Sequence, residues 1–259
     1  MTDLVRLERD GAVGIIRLDR PPVNAINAVI HRELLEVAGQ VAGDPEIRAV
    51  VLYGGDRAFA AGADIKELLD RTPGEIAVSG RALTNAVTAV ARLTQPVIAA
   101  ITGYALGGGL ELALAADFRI VAEDALLGLP EVTLGVIPGA GGTQRLPRLI
   151  GVTKAKELIF SGRPVSGPEA VSIGLASRAV PADQVFSEAL AMAGRLAAGA
   201  TAAIAAAKRA IDDGLDGSLS AGLELEAQKF AELFGTEDQK TGMASFLREG
   251  PGKATFVGR

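Results

Sequence analysis

The sequence contains no cysteine, no tryptophan and only one histidine, His31. Without cysteine the chain cannot form a disulfide framework, a thiolate nucleophile or a cysteine-ligated metal site. A single histidine excludes motifs that place two histidines on one metal ion. We therefore expect no bound metal.

Long apolar runs and clusters of positive charge are also missing. No stretch approaches the ~18 uninterrupted apolar residues of a membrane-spanning helix, so no membrane span is expected. The net charge is −5, and no basic stripe of the kind that binds nucleic acid is present. The first residues, MTDLVRLERDG, are charged and lack the apolar core of a secretory leader, which predicts a cytoplasmic protein.

The material that is present suits an α/β fold. The chain has 259 residues, of which 49% are hydrophobic, enough for one large domain or two smaller ones. Strand-like runs alternate with segments of helical spacing; the strand-like runs are VGIIRL, IRAVVLYGG, QPVIAAITG and FRIVAED, and the helical segments include Ile30–Val41 and VSGRALTNAVTAVARL. This alternation predicts largely parallel sheets.

The last third of the chain is rich in alanine and lacks strand signals. The segments FSEALAMAGRLAAGATAAIAAAKRAIDDG and LSAGLELEAQKFAELFG both have helical character. We therefore divide the chain into a mixed α/β core, residues 1–198, and a helical region, residues 199–259. The alanine and leucine faces of that region could pack internally or against another subunit.

The loop GYALGGGLELAL leads from a predicted strand into a predicted helix. Glycines at Gly107 to Gly109 let a ligand approach the free N–H groups of the helix N-terminus. The spacing is not that of a dinucleotide-binding loop, and a carboxylate at Glu111 in the first helical turn would repel a pyrophosphate. The later segment GAGGTQR lacks the lysine of a phosphate-binding loop, so nucleotide binding is disfavoured.

Two glutamates stand in apolar surroundings. Glu111 is flanked by leucines, and Glu131 follows a proline in LGLPEVTLGV. Burial and mutual repulsion of two such carboxylates raise one pKa and prepare the pair for proton transfer. From the residues alone an alternative stays open for each: Glu111 could simply complement the helix dipole, and Glu131 could be an ordinary loop glutamate.

The segment FAAGADIKEL has small residues where a strand ends. Ala61, Gly62 and Ala63 have no reactive side chains, so chemistry there would use backbone N–H groups. The N–H groups of Ala63 and Gly108 could together form an oxyanion hole, which stabilises negative charge on a carbonyl oxygen. The alternative is a plain glycine turn capped by Asp64.

Three segments in this order, FAAGADIKEL, AITGYALGGGLELALAAD and LGLPEVTLGVIPGAGGTQRLPRLIG, resemble the signature loops of the crotonase (enoyl-CoA hydratase/isomerase) superfamily, most closely its enoyl-CoA hydratases. RPPVNAIN and FGTEDQKTGMASF resemble its flanking segments. The resemblance implies a spiral of repeated ββα units and a C-terminal helical region that forms a homotrimer or a dimer of trimers. It implies an acyl-CoA thioester as substrate and no permanently bound cofactor, coenzyme A entering only as part of the substrate.

The resemblance also implies a role for individual residues. The N–H groups of Ala63 and Gly108 would bind the thioester oxygen, Glu131 would be the main proton carrier and Glu111 would position the water. Gly139 would offer a further backbone contact near that water. The positions that correspond to the family's coenzyme A contacts are Val23, Asn24, Ala61, Asp64, Ile65 and Lys66.

The expected activity is that of a hydro-lyase, which adds water to trans-2-enoyl-CoA and gives 3-hydroxyacyl-CoA, as in fatty acid β-oxidation. Two alternatives are a Δ3,Δ2-enoyl-CoA isomerase and a non-catalytic acyl-CoA-binding protein of the same fold. The C-terminal segment LREGPGKATFVGR departs from the basic ending common in the family. A contact of Arg248 or Lys253 with the phosphates of coenzyme A is therefore an open question.

Overall fold

The computed structural model describes residues 3–259, which form nine strands and eleven α-helices. The strands are β1 (Val5–Asp10), β2 (Val13–Leu18), β3 (Ala49–Tyr53), β4 (Val97–Ile101), β5 (Tyr104–Leu106), β6 (Phe118–Ala122), β7 (Leu126–Gly128), β8 (Val165–Ser166) and β9 (Arg178–Val180). The helices are α1 (Ala28–Gly43), α2 (Ile65–Leu68), α3 (Pro73–Ala91), α4 (Gly108–Ala113), α5 (Gly142–Ile150), α6 (Val152–Ser161), α7 (Gly167–Ser172), α8 (Val185–Ala197), α9 (Thr201–Leu215), α10 (Leu219–Leu233) and α11 (Glu237–Glu249). Short 3-10 helices cover Glu131–Leu134 and Ala182–Gln184.

The larger sheet has six strands in the order β1-β2-β3-β4-β6-β9. Only the β1–β2 pair is antiparallel, and the other pairs are parallel. Every residue of β3 and β4 is buried, as expected for parallel strands covered on both faces. The predicted α/β class is confirmed. β1 was not predicted, because VRLERD alternates with charged residues at the edge of the sheet.

A second sheet, β5-β7-β8, stands beside the first and gives the fold its spiral form. β3 leads through Ala60 to α2, β4 leads through β5 to α4, and β6 leads through β7 to the 3-10 helix at Glu131. The intermediate segments pair in parallel with one another, Ala60 with Ala105 and β5 with β7. Successive ββα units therefore stack as the resemblance to the crotonase superfamily implied.

Helix α3 begins earlier than the sequence analysis predicted. The apolar spacing suggested a start near Val78, but the helix starts at Pro73. Thr72 and Glu75 form a capping box, in which each side chain binds the backbone N–H of the other, and proline is favourable in the first helical turn. The capping residues, and not the apolar spacing, determine where this helix begins.

The C-terminal region separates from the core after α8, which packs across the larger sheet. The sequence analysis treated Phe186 to Gly214 as one helical stretch, whereas the chain bends by 105° between α8 and α9. On α9, the ammonium group of Lys208 reaches back to the core, 2.9 Å from the Asp117 carboxylate and 3.2 Å from the Gln95 carbonyl oxygen. α10 has no buried residue.

Within residues 3–259, no single helix has both the length and the apolar composition needed to cross a membrane. The two helical stretches Ala182–Ala197 and Thr201–Leu215 meet those criteria only when they are taken together.

Candidate active site

Backbone pairing brings the first two loops together. The N–H of Ala60 donates to the carbonyl of Tyr104 at 2.9 Å, and the N–H of Leu106 donates to the carbonyl of Ala60 at 3.0 Å. Behind this pair, a Cβ atom on Gly109 would lie only 2.1 Å from the Ala60 carbonyl oxygen. Glycine at this position is therefore what allows α4 to start against the first loop.

The third loop joins the second in the same way. The N–H of Gly107 donates to the carbonyl of Gly128 at 2.9 Å, next to the end of β7. Gly107 has a φ of +52°, which favours glycine, and a Cβ atom there would lie 3.2 Å from Oε1 of Glu131. The Glu131 carboxylate thus lies against the glycine turn that precedes α4.

The backbone nitrogen of Ala63 lies close to Gly108. Ala63 forms a parallel bridge with Ile26, in which Ile26 donates to the Gly62 carbonyl and Asp64 donates to the Ile26 carbonyl, both at 2.8 Å. These two hydrogen bonds involve the residues on either side of Ala63. The N–H of Ala63 itself has no acceptor among residues 3–259. Gly108 is the first residue of α4, so its N–H has no helical acceptor. A Cβ atom on Gly108 would lie 3.8 Å from the Ala63 nitrogen.

The Glu111 side chain is buried, with 2% of its surface exposed, and two backbone N–H groups bind it. Its Oε1 accepts from Ala140 at 2.6 Å and from Gly142 at 2.8 Å. Burial raises the pKa of the Glu111 carboxyl above its ordinary value. The N–H groups of Gly142, Ala140 and Gly139 and the charge of Arg145 oppose that rise. Gly139, predicted near the water, lies in this same turn.

Glu131 has a different environment. It begins the 3-10 helix after Pro130, and its Oε2 is buried without a hydrogen-bond partner in the part of the chain that the structure describes. Burial raises the pKa of Glu131 to about 7, and the nearby charge of Glu111 adds to the rise. A carboxyl with a pKa of about 7 can both accept and donate a proton near neutral pH.

Known proteins share this arrangement of loops over the whole chain. The family model described as enoyl-CoA hydratase/isomerase matches residues 8–256. The chain belongs to the enoyl-CoA hydratase/isomerase family. A probable enoyl-CoA hydratase of Rhizobium meliloti is 46% identical over 244 residues, covering 93% of this chain and 93% of that protein. A probable enoyl-CoA hydratase of Mycobacterium tuberculosis is 44% identical over 248 residues, covering 95% of this chain and 96% of that protein.

The solved structures agree with the sequence relatives. The crystal structure of an enoyl-CoA hydratase from Bacillus anthracis matches with a TM-score of 0.93 at 39% identity, covering 99% of this chain and 100% of that one. The resemblance read from the three loops is confirmed, and the chain is an enzyme of the enoyl-CoA hydratase/isomerase family.

Most of the positions that correspond to the family's coenzyme A contacts lie together beside Ala63. The N–H of Ala61 donates to the Val23 carbonyl at 2.9 Å, so these two segments run next to each other. Ile65 and Lys66 follow on α2 with exposed side chains. Their contact with coenzyme A stays a prediction.

Asp64 and Asn24 have structural partners within this enoyl-CoA hydratase/isomerase chain. Asp64 caps α2 by accepting from the N–H of Lys66 at 3.1 Å, and it pairs with the guanidinium of Arg20 at 2.6 Å. Asn24 is buried, and its side-chain amide donates to three carbonyls, those of Gly54 at 2.6 Å, Ala58 at 3.0 Å and Phe59 at 3.0 Å. Both residues hold the first loop in place, and a further contact of either with a ligand stays a prediction.

The sequence analysis missed several residues around the site. Ile26 and Leu83 place methyl groups 3.8 and 3.9 Å from the position of a Cβ on Gly108, and thus form an apolar wall beside the N–H pair. The Thr84 hydroxyl donates to the Gly139 carbonyl at 3.2 Å. Leu83 follows the ordinary apolar spacing of α3, and Thr84 is an exposed polar residue on the same helix, so no sequence signal set either of them apart. Arg145 lies in the segment GAGGTQR, which the sequence analysis considered only as a possible phosphate-binding loop.

The two basic residues near the C-terminus lie in exposed positions. The Arg248 guanidinium bonds the neighbouring Glu249 carboxylate at 2.6 Å, and Lys253 is exposed just after the last helix. The sequence analysis made no prediction of a contact between these two residues and coenzyme A.

Proposed function

We propose that this enzyme adds water to trans-2-enoyl-CoA thioesters and produces 3-hydroxyacyl-CoA, the hydration step of fatty acid β-oxidation. One observation carries the proposal: the buried carboxylate of Glu111 and the half-buried carboxylate of Glu131 flank the glycine turn beside two N–H groups without acceptors, those of Ala63 and Gly108. The names of the relatives support the same reaction class.

The N–H pair provides the electrostatic part of the proposed mechanism. The thioester oxygen accepts hydrogen bonds from Ala63 and Gly108, which polarises the conjugated carbonyl and makes the β-carbon electrophilic. As water adds, negative charge moves to this oxygen, where fixed backbone donors stabilise it. Loss of one such donor typically lowers the rate by about 10²–10³-fold.

The carboxylate pair provides the proton transfer. One water donates its two hydrogens to Glu111 and Glu131, and its oxygen bonds to the β-carbon. The π electrons of the double bond move to form the enolate, and the water proton passes to Glu131. Glu131 then delivers this proton to the α-carbon, so that one water is consumed and both carboxylates return to their starting state. A pKa of about 7 suits Glu131 for taking and returning the proton, and the two groups titrate as a coupled pair.

Coenzyme A enters this scheme only as part of the substrate. The amino group of its adenine would donate to the Ala61 carbonyl, since this carbonyl has no donor among the described residues. The side chains of Ile65 and Lys66 are exposed on the same edge, and the lysine ammonium suits a phosphate. Val23, Asn24 and Asp64 would shape this edge.

The activity can be tested with crotonyl-CoA, whose conjugated absorbance is lost on hydration. We expect turnover, and we expect Glu111→Gln and Glu131→Gln each to lower kcat by about 10²–10⁴-fold. Near wild-type hydration by Glu111→Gln would contradict the assignment. An isomerase acting on 3-enoyl-CoA needs only one base, so isomerisation that survives Glu111→Gln without hydration would favour that alternative. Tight coenzyme A binding without turnover on any chain length would favour a non-catalytic role.

We also propose that the protein works in the cytoplasm as a homotrimer or a dimer of trimers. The support is the apolar surface of the C-terminal helices, where Leu219 is 80%, Phe230 62% and Leu247 86% exposed in the single chain. Exposed apolar surface of this extent is typical of a face that another subunit covers.

A further inference from the structure

Arg145 contacts the turn that holds Glu111. Its Nε lies 3.1 Å from where a Cβ on Gly141 would stand, so the guanidinium packs directly on the Gly141 backbone. The backbone N–H of Arg145 donates to the Gly141 carbonyl at 2.7 Å. Gly141 lies between Ala140 and Gly142, whose N–H groups bind the Glu111 carboxylate. Arg145 therefore contacts the one residue that sets the spacing of these two donors.

The side chain of Arg145 is half-buried, and it forms no hydrogen bond or ion pair with the part of the chain that the structure describes. The acidic groups that face it are Asp212 on α9, Asp216 directly after α9, and Glu111 on α4. Burial lowers the pKa of Arg145, and these three carboxylates oppose the change. The field of a partly buried cation is screened less by solvent than that of a surface cation, so it acts more strongly on the carboxylates around it.

We infer that Arg145 is a positioning residue for Glu111: its side chain holds the Gly139–Gly142 turn in the shape that offers two N–H groups to the carboxylate, and its charge favours the ionised form of that carboxylate. Asp212 and Asp216 reduce this effect, so α9 of the C-terminal region influences the site through Arg145. The inference rests on the proposed function only for the catalytic role of the Glu111 charge.

Electrostatics around Glu111 supports the charge part of this inference. Arg145 favours the ionised form of Glu111, whereas burial favours the neutral form, and the Glu131 carboxylate disfavours a second negative charge nearby. The pKa of Asp212 also depends on the charges of Asp117, Asp213 and Lys208. A substitution at Asp216 is therefore simpler to interpret.

The test is the titration of Glu111 in a Glu131→Gln background, followed by infrared carboxyl bands and assigned by their loss in Glu111→Gln. Arg145→Gln should move the midpoint to higher pH, and Arg145→Lys should leave it near that of the parent because the charge is kept. Asp216→Asn should move the midpoint to lower pH. Arg148→Gln, an exposed arginine on the same helix that bonds Gln144, is the matched control and should move nothing.

Kinetics gives the second readout, in enzyme with Glu131 intact. Arg145→Gln should lower kcat/KM on the order of 10-fold at pH 6, with partial recovery at pH 8, because a higher pH favours the ionised form of Glu111. An equal loss at every pH together with an unmoved Glu111 midpoint would overturn the inference, since a purely structural arginine gives that result. Because the infrared titration needs no turnover, absence of hydratase activity would contradict the proposed function and leave this test intact.

Discussion

Glu111 and Glu131 border the same glycine turn but differ in their hydrogen bonds. Glu111 accepts from two backbone N–H groups at the start of α5, where the helix dipole also favours a negative charge. Oε2 of Glu131 has no partner among residues 3–259. The better-bound carboxylate is suited to hold a water, and the less-bound one to exchange a proton.

The pH dependence of the reaction follows from Glu131. Its pKa is about 7, and only the ionised form can take the proton of the attacking water. We expect kcat/KM for crotonyl-CoA to rise with pH, to be half-maximal near pH 7 and to fall about tenfold per unit well below it. A profile that is flat from pH 5.5 to 8 would contradict this role.

The same group lowers stability at neutral pH. The carboxyl of Glu131 has a pKa of about 7 when folded and an ordinary value of 4.5, so the unfolded chain loses this proton first. The free energy of unfolding therefore falls as pH rises through this window. Glu131→Gln should raise it by about 1–2 kcal/mol at pH 8, a value below the full shift because the side chain is partly exposed.

The stability prediction is measured by urea denaturation at pH 8 and at pH 5. Near pH 5 the folded protein already carries the proton, so the gain from Glu131→Gln should be much smaller there. Glu123→Gln, a change of an exposed glutamate, is the control. An equal gain at both pH values would show that packing and not charge is responsible.

The side-chain amide of Asn24 holds the first loop in place. Asn24→Ala should lower the free energy of unfolding by about 2–4 kcal/mol, because the carbonyls of Gly54, Ala58 and Phe59 lose their shared donor in a buried place. Asn24 also has a φ of +52°. Asn24→Gly separates the two effects, since glycine accepts this backbone angle but provides no donor. Full stability of Asn24→Gly in urea would contradict the role of the amide.

At the scale of elements, the site depends on how closely short segments approach one another. Gly109→Ala should cost several kcal/mol and abolish activity, because its Cβ would lie 2.1 Å from the Ala60 carbonyl oxygen and push α4 off the first loop. Gly39 on α1 is exposed with no atom within 4 Å of its added Cβ. Gly39→Ala should therefore stabilise the protein by about 0.5–1 kcal/mol. Thermal unfolding of the pair tests this, and similar losses in both would contradict it.

The sequence allowed the elements around the site to be predicted better than their contacts. Strands β3 and β4 have continuous apolar runs, and the glycine turn before α4 placed Glu111 in the first helical turn, as observed. β5 and β7 have three residues each and were missed, because so short a run has no readable period. Without them the junction of the first two loops could not be derived from the pattern.

Long-range partners were beyond the reach of any local pattern. The donors to Glu111 come from Ala140 and Gly142, 29 and 31 residues further on, and the partner of Asp64 is Arg20, 44 residues earlier. No spacing rule links such positions. The sequence analysis brought these loops together only because three whole segments resembled those of a family. Such a resemblance indicates which loops meet but not which atoms form hydrogen bonds.

At the scale of the whole molecule, the C-terminal helices have more apolar surface than a single chain can bury. α10 has no buried residue, and the ring of Phe230 on this helix contacts that of Phe234, just after it, edge-to-face at 5.2 Å while both stay exposed. One buried link, the pair of Lys208 with Asp117, fastens α9 to the core. This surface points to self-association.

We therefore expect sedimentation equilibrium to give the mass of three or six chains, each of 26.5 kDa. Phe230→Arg should shift the distribution toward smaller species, because a charge is costly to bury in an apolar interface. Its helical content, read by circular dichroism, should stay near that of the parent. A parent that is monomeric at micromolar concentration would contradict the assembly.

The unpartnered N–H groups of Ala63 and Gly108 belong to the main chain, and this limits what ordinary mutagenesis can reveal. Ala63 is already alanine, and a methyl group on Gly108 meets its nearest neighbours only at 3.8 Å or more. Side-chain scanning therefore leaves both donors in place and would score these positions as permissive. Exchanging one amide for an ester by protein semisynthesis deletes a single hydrogen-bond donor and alters no side chain, which makes it the perturbation suited to this part of the molecule.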